Sequence, residues 1–205
     1  MKIVINKEPF EHIIIQDIFS NEERALIWRE TEFLFNKLGG PDETNAARET
    51  EDGPRKKSGK GVFLDNVYQD RGFSDMLSIT RKPFHDEKIV SAVSELANTS
   101  PYFKLWSKTN WDSTLFQYYS HGDHYKSHMD ESIFTIIHTF YKTPKQFDGG
   151  DLFFEEYSYT LPIRCNQTII FSSQIQHQVN EVVMHREDTG MDGRFSISNL
   201  VCWKN

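Results

Sequence analysis

The stretch YYSHGDHYKSHMDES, residues 118–132, holds three of the chain's eight histidines and spells His-x-Asp twice, as His121-Gly122-Asp123 and His128-Met129-Asp130. Side chains two apart on a strand point the same way, so His-x-Asp on a strand puts two metal-ligand types on one face. With eight His and 14 Asp in 205 residues, roughly half a copy is expected by chance, and context has to decide. In the first copy Gly122 stands in the middle and Ser120 just ahead. That is turn composition, which does not hold His121 and Asp123 on a common face. The second copy lies in HYKSHMDES, free of Gly and Pro, where Lys126, His128 and Asp130 can share one strand face. His128 and Asp130 are the better ligand pair.

Two ligands do not make a catalytic iron site. A 2-His-1-carboxylate centre takes a distant histidine and keeps three coordination positions open. His138 lies in the apolar run FTIIHTF and reads as a hydrogen-bonded core residue. His185, in the charged turn MHREDTG, reads as exposed. His177 follows the buried-looking run QTIIFSS and opens another strand, which is where a strand-end ligand would project into a barrel mouth.

The bulk numbers narrow the classes. A chain of 205 residues with 14% aromatics is one folded domain with a sizeable core. A net charge of -7 repels phosphate backbones and anionic lipid, so neither nucleic acid nor membrane is an expected partner. No signal-like or membrane-length apolar run occurs, and the expectation is a soluble cytoplasmic protein. Cys165 and Cys202 have no partner at zinc-like spacing and read as small buried residues.

The order of elements follows from patterning. KIVI and HIIIQDIF, within residues 2–18, read as strands. Ser20 with Glu23 spells a capping box, and a helix of about 16 residues is expected through Leu38, stopped by Gly39-Gly40-Pro41. Residues 39–61 form a long polar loop, expected to be a functional flap or disordered. Within it GPRKKSGKG lacks the spacing of a phosphate-binding loop and reads as a solvated basic segment. Helical periodicity returns at 74–79 and 86–97, with Pro83 between. After Pro101 come about eight short β-branched and aromatic runs in 100 residues, among them STLFQYY, DHYKSHMD, SIFTIIHTFY, DLFFEEY, QTIIFSS, QVNEVVM and RFSISNLV. That spacing argues a sandwich or barrel with the helices outside it.

Taken in order, QYYSHGDHYKSHMD, FDGGDLFF, TIIFSSQIQHQV and GRFSISNLV resemble the Fe(II)- and 2-oxoglutarate-dependent dioxygenases, in particular the prolyl 4-hydroxylase-like branch. The likeness covers residues 113–202 and implies a mostly β fold, a double-stranded β-helix of jelly-roll, cupin-like type, with an N-terminal strand-helix flank over residues 1–112, the whole forming a single domain. It implies that His128, Asp130 and His177 bind Fe(II). It further implies that Arg194, with Ser196 on the same strand face, binds the distal carboxylate of 2-oxoglutarate, as a planar guanidinium suits. Tyr119 matches a tyrosine that often reaches the co-substrate, and Tyr118 could take that place if the turn is shifted by one. Gly149-Gly150 matches a turn valued for its backbone geometry. No catalytic side chain is expected beyond the metal centre.

Fe(II), 2-oxoglutarate and O2 are the implied cofactors, with ascorbate in support. Asp130 is a residue that halogenating relatives lack, so its presence points to hydroxylation. Leu200 stands where nucleic-acid-demethylating relatives carry a second arginine. The implied reaction is hydroxylation of an unactivated C–H bond, of a prolyl residue in a protein or peptide, with succinate and CO2 as co-products. A free amino acid or other small molecule is the alternative substrate, and a non-enzymatic cupin-type binding module the alternative class. The lid is expected in residues 39–61 together with Phe63 to Tyr68.

Overall fold

The computed structural model describes residues 1–204. Strands β1 (Lys2–Asn6) and β2 (His12–Gln16) precede helix α1 (Asn21–Phe35); β3 (Lys60–Phe63), α2 (Leu64–Val67), α3 (Asp75–Thr80) and α4 (Glu87–Ala97) follow. Ten strands complete the chain: β4 (Trp111–Tyr119), β5 (Tyr125–His128), β6 (Phe134–Phe140), β7 (Phe147–Gly149), β8 (Leu152–Phe154), β9 (Tyr159–Leu161), β10 (Gln167–Ser172), β11 (His177–Val179), β12 (Val182–Met184) and β13 (Arg194–Cys202).

A seven-stranded sheet, ordered β1-β2-β10-β6-β13-β4-β3, faces a four-stranded sheet ordered β5-β11-β8-β9, with β12-β7 as a two-stranded extension. This is the double-stranded β-helix expected from the sequence. The central strands are buried on both faces, which is why SIFTIIHTFY and QTIIFSS read as continuous apolar runs rather than alternations. On the outer face Phe134, Ile136 and Phe140 pack with Ile27, Leu77 and Ile89 of the helices. On the inner face Ile137 joins Phe147, Phe154 and Phe171 between the sheets. No helix among the described residues is long and apolar enough to cross a membrane.

Several boundaries differ from the sequence reading. The capping box forms, with Ser20 Oγ accepting the Glu23 N–H at 3.2 Å and the Glu23 carboxylate accepting the Ser20 N–H at 2.7 Å. The helix it starts nevertheless ends at Phe35, capped by Asn36, three residues short of the expected Leu38. Phe35 is held there against Tyr118 and Phe195, and the chain turns under Leu38. The run QVNEVVM breaks at Asn180-Glu181 into two strands that join different sheets.

The strand expected through Asp130 ends at His128. Phe63 to Tyr68 is not a lid: it forms the end of an edge strand and a helical turn in which Leu64 is fully buried. Residues 39–59 are an ordered loop, tied by backbone pairs Gly39–Gly61 and Arg48–Arg55.

Candidate metal and co-substrate site

β5 and β11 pair in antiparallel register with His128 opposite His177. The pairing brings the two rings to 4.4 Å. Asp130, just past the end of β5, turns back between them: its Oδ1 lies 3.6 Å from His128 Nε2 and its Oδ2 3.5 Å from His177 Nε2. One donor atom from each of the three residues lies within 4.8 Å of the others.

Both imidazoles are oriented by backbone. His128 Nδ1 donates to the Lys126 carbonyl at 2.9 Å and His177 Nδ1 to the Ile175 carbonyl at 3.0 Å. Each ring is thereby fixed as the tautomer whose Nε2 lone pair faces the centre. Burial, reinforced by the neighbouring His177, pulls the pKa of His128 down to about 3, which keeps that lone pair available. Tyr125 stacks on the His128 ring at 3.6 Å. The carboxylate is held by Thr135, whose Oγ1 donates to Asp130 Oδ2 at 2.5 Å, and the Asp130 N–H donates to the Ser173 carbonyl at 3.2 Å.

Beside this trio, β4 and β13 run paired with Arg194 opposite Tyr119 and Ser196 opposite Gln117. Arg194 is completely buried. Its Nη1 donates to Ser196 Oγ at 3.2 Å, while Nε and Nη2 have no partner among the described residues. Those two N–H groups form one parallel edge of the guanidinium, the geometry of a bidentate carboxylate contact. Gln117 collects the hydroxyls of Ser196 and Ser198 on its Oε1, both at 3.3 Å, and donates Nε2 to Tyr119 Oη at 3.0 Å. Because Tyr119 Oη accepts that bond, its own proton is left to donate elsewhere. Burial raises the Tyr119 pKa, so the phenol stays protonated.

The trio, Arg194, Ser196 and Tyr119 line one cavity of about 250 Å³. Tyr118 points the other way, its hydroxyl bonded to Asp188 and its ring packed on Phe195. Its Oη also accepts the Gly193 N–H at 3.0 Å, so the turn at 185–193 is anchored to the sheet that carries Arg194. His121 and Asp123 are in the turn expected of them: Gly122 has φ +79°, and His121 Nδ1 accepts the Met184 N–H at 3.2 Å, away from the trio. His138 is a core residue, bonded to Thr168 at 2.7 Å and Asn199 at 3.0 Å. His185 is half exposed, beside Asp148 at 3.1 Å. Cys165 and Cys202 are free thiols, partly buried. The sequence reading did not single out Gln117, Thr135 or Lys57, the last a buried lysine on the cavity wall.

A double-stranded β-helix with a His-x-Asp…His trio beside a buried guanidinium is the architecture of the non-haem iron oxygenases. Residues 114–201 match the model of the 2OG-Fe(II) oxygenase superfamily. The family implies Fe(II), 2-oxoglutarate and O2 as cofactors. No curated protein matches the sequence. Among solved structures, a prolyl-4-hydroxylase from Pseudomonas putida is similar, at 13% identity with a TM-score of 0.61, over 95% of this chain and 93% of that one. A truncated viral collagen prolyl hydroxylase from Paramecium bursaria Chlorella virus-1 has a TM-score of 0.57 at 13% identity, over 95% and 90%. The alpha-ketoglutarate-dependent epimerase SnoN of nogalamycin biosynthesis has a TM-score of 0.56 at 12% identity, over 94% and 76%. At these identities the likeness is one of fold.

Proposed function

We propose that the protein is an Fe(II)- and 2-oxoglutarate-dependent oxygenase that hydroxylates an unactivated C–H bond, with His128, Asp130 and His177 as the iron ligands. The observation that carries this reading is the pairing of two receptors in one cavity: three converging donor atoms, and a buried arginine whose bidentate edge has no partner among the described residues. Two neutral imidazoles and one carboxylate are the donor set of non-haem iron oxygenases, so the residues present fit the metal.

Bound iron(II), 2-oxoglutarate and O2 supply oxidative decarboxylation of the co-substrate coupled to C–H oxidation, leaving succinate and CO2. The protein's own part is positional. Lys126 and Ile175 carbonyls aim the imidazoles, and Thr135 fixes the carboxylate so that Oδ1 stays free of hydrogen bonds. Arg194 Nε and Nη2, with the Tyr119 hydroxyl, receive the distal carboxylate of 2-oxoglutarate, and Ser196 holds the guanidinium in plane. Phe63, Leu115 and Leu200 add apolar surface to the cavity lining, which disfavours water beside them.

The likeness of fold to prolyl hydroxylases supports a prolyl residue of a peptide as substrate. A small molecule is the second reading, favoured by the modest cavity and by the buried ammonium of Lys57. Anaerobic addition of Fe(II) and 2-oxoglutarate should give the visible charge-transfer band of a chelated keto acid. Asp130→Ala should abolish it and His121→Ala should leave it intact. Folded protein without the band would end the oxygenase reading, and the reverse mutant pattern would move the metal to the other His-x-Asp.

A further inference from the structure

Lys57 lies in the basic loop segment that failed as a phosphate-binding motif. Its side chain is not in solvent: the residue is 3% exposed, and Nζ is buried with no hydrogen-bond partner among the described residues. It lines the same cavity as the trio and Arg194, with Nζ 5.8 Å from the centre of the Tyr119 ring.

Its neighbours in the loop are all spent on holding it there. The Lys126 N–H donates to the Lys56 carbonyl at 3.0 Å, Lys56 Nζ donates to the Ser127 carbonyl at 2.7 Å, and the Ser58 N–H donates to the His124 carbonyl at 3.0 Å. The glycines of SGKG let the loop approach β4. A Cβ on Gly61 would sit 2.9 Å from Lys57 Nζ, and one on Gly59 would sit 2.6 Å from the Tyr119 ring. Asp123 lends a favourable field, but its carboxylate accepts the Ser120 N–H at 2.9 Å.

A buried, unpartnered ammonium is costly, and a fold that builds a backbone cradle for one gains from it only when an anion arrives. The anion is not the co-substrate's. 2-Oxoglutarate carries two carboxylates, and the proposed site already has two receivers for them: the metal, and the Arg194 edge with Tyr119. A third cation in the cavity is left for the primary substrate. We propose that Lys57 binds a carboxylate of the primary substrate, which makes that substrate a small carboxylic acid of the amino-acid type rather than the interior of a peptide chain. This rests on the oxygenase reading above and deepens it. Burial pulls the lysine's pKa down to about 7, and a bound carboxylate would restore the charged form.

The test uses free L-amino acids paired with their amides, beside prolyl peptides blocked at both ends. Two readouts are taken: stimulated succinate formation by the Fe(II) enzyme, and the thermal midpoint of the Mn(II)- and 2-oxoglutarate-loaded protein. At least one acid should act at ten-fold lower concentration than its amide. Lys57→Met should raise that acid's KM ten-fold or more and erase its effect on the midpoint, and Lys57→Arg should recover part of both. The Kd of 2-oxoglutarate, from fluorescence quenching of the Mn(II) protein, should stay within two-fold. Three results would overturn the proposal: blocked peptides turned over equally by wild type and Lys57→Met; a rise in the 2-oxoglutarate Kd instead; or no acid that raises the midpoint of wild type more than that of the variant. An intact anaerobic charge-transfer band alongside any of these would leave the oxygenase reading standing.

Discussion

Lys57 is the residue whose cost is easiest to measure. Its pKa is about 7 in the folded chain against an ordinary 10.5, so between those pH values the unfolded chain binds more protons than the folded one. Stability therefore rises as pH climbs from 7 to 10.5, and is lost as it falls back. Lys57→Met keeps the stem and removes the charge. It should stabilise the protein at pH 7 by a few kcal/mol, on the order of 1.4 kcal/mol per unit of displacement, with the advantage shrinking toward pH 10. Urea midpoints of both proteins at pH 7 and 9.5 decide it, and an equal gap at the two pH values would contradict the titration. Thr135 is a second case. It holds Asp130 Oδ2 and is itself bonded to Ser173 Oγ at 2.8 Å, so Thr135→Val frees the carboxylate to rotate. Fe(II) affinity should fall ten- to a hundred-fold by competition with a chelator, with little change in the thermal midpoint of the metal-free protein. Neither residue was legible. Thr135 is one of many threonines in strands, and Lys57 is one of three lysines in KKSGK, of which Lys56 is half-buried and Lys60 exposed. Only the register of the loop on β5 selects it. His128, Asp130 and His177 stood out because three ligating residues in family order are rare, and folding does bring them together.

At the scale of elements, turn chemistry was readable and turn purpose was not. Gly149 and Gly150 both have φ +71°, as the Gly-Gly pattern implied. A Cβ on Gly150 would lie 2.8 Å from Arg194 Cδ, so the turn's bareness is what admits the arginine to the cavity. Gly150→Ala should raise the Kd for 2-oxoglutarate ten-fold or more while Mn(II) binding holds, because the displaced side chain is Arg194 and not a member of the trio. Equal losses of both would show that the turn supports the whole minor sheet instead. The ends of elements were less legible than their existence. Ser20 and Glu23 announced where α1 begins, since a cap is a local hydrogen-bond pattern. Its end at Phe35 depends on contacts with Tyr118 and Phe195, more than 80 residues on, and no local signal reports those. The same holds for β5, which stops at His128 because Asp130 folds back toward Ser173.

For the molecule as a whole, the question is whether loop 39–59 opens. Its length and polarity suggested a flap. In the fold it is strapped along β5: Lys56 and Ser58 pair with Lys126 and His124, Lys57 bridges to Tyr125, and the Ala47 N–H donates to the Tyr125 hydroxyl at 3.0 Å. Tyr125 in turn stacks on His128, so the loop and the candidate metal centre share one rigid ring. A segment with that many backbone bonds to the edge strand that carries His128 opens at a cost well above that of a frayed surface loop. Hydrogen exchange on the metal-free protein should therefore show Ser58 and Lys126 protected before any ligand is added. The tip at 50–53, whose bonds are local to the turn, should exchange fast. Adding Mn(II) and 2-oxoglutarate should slow exchange at 125–130 and leave 56–58 nearly unchanged. If 56–58 instead exchanged freely until ligand was present, the loop would be a closing lid, and the cradle around Lys57 would be a product of substrate binding rather than a site that waits for it.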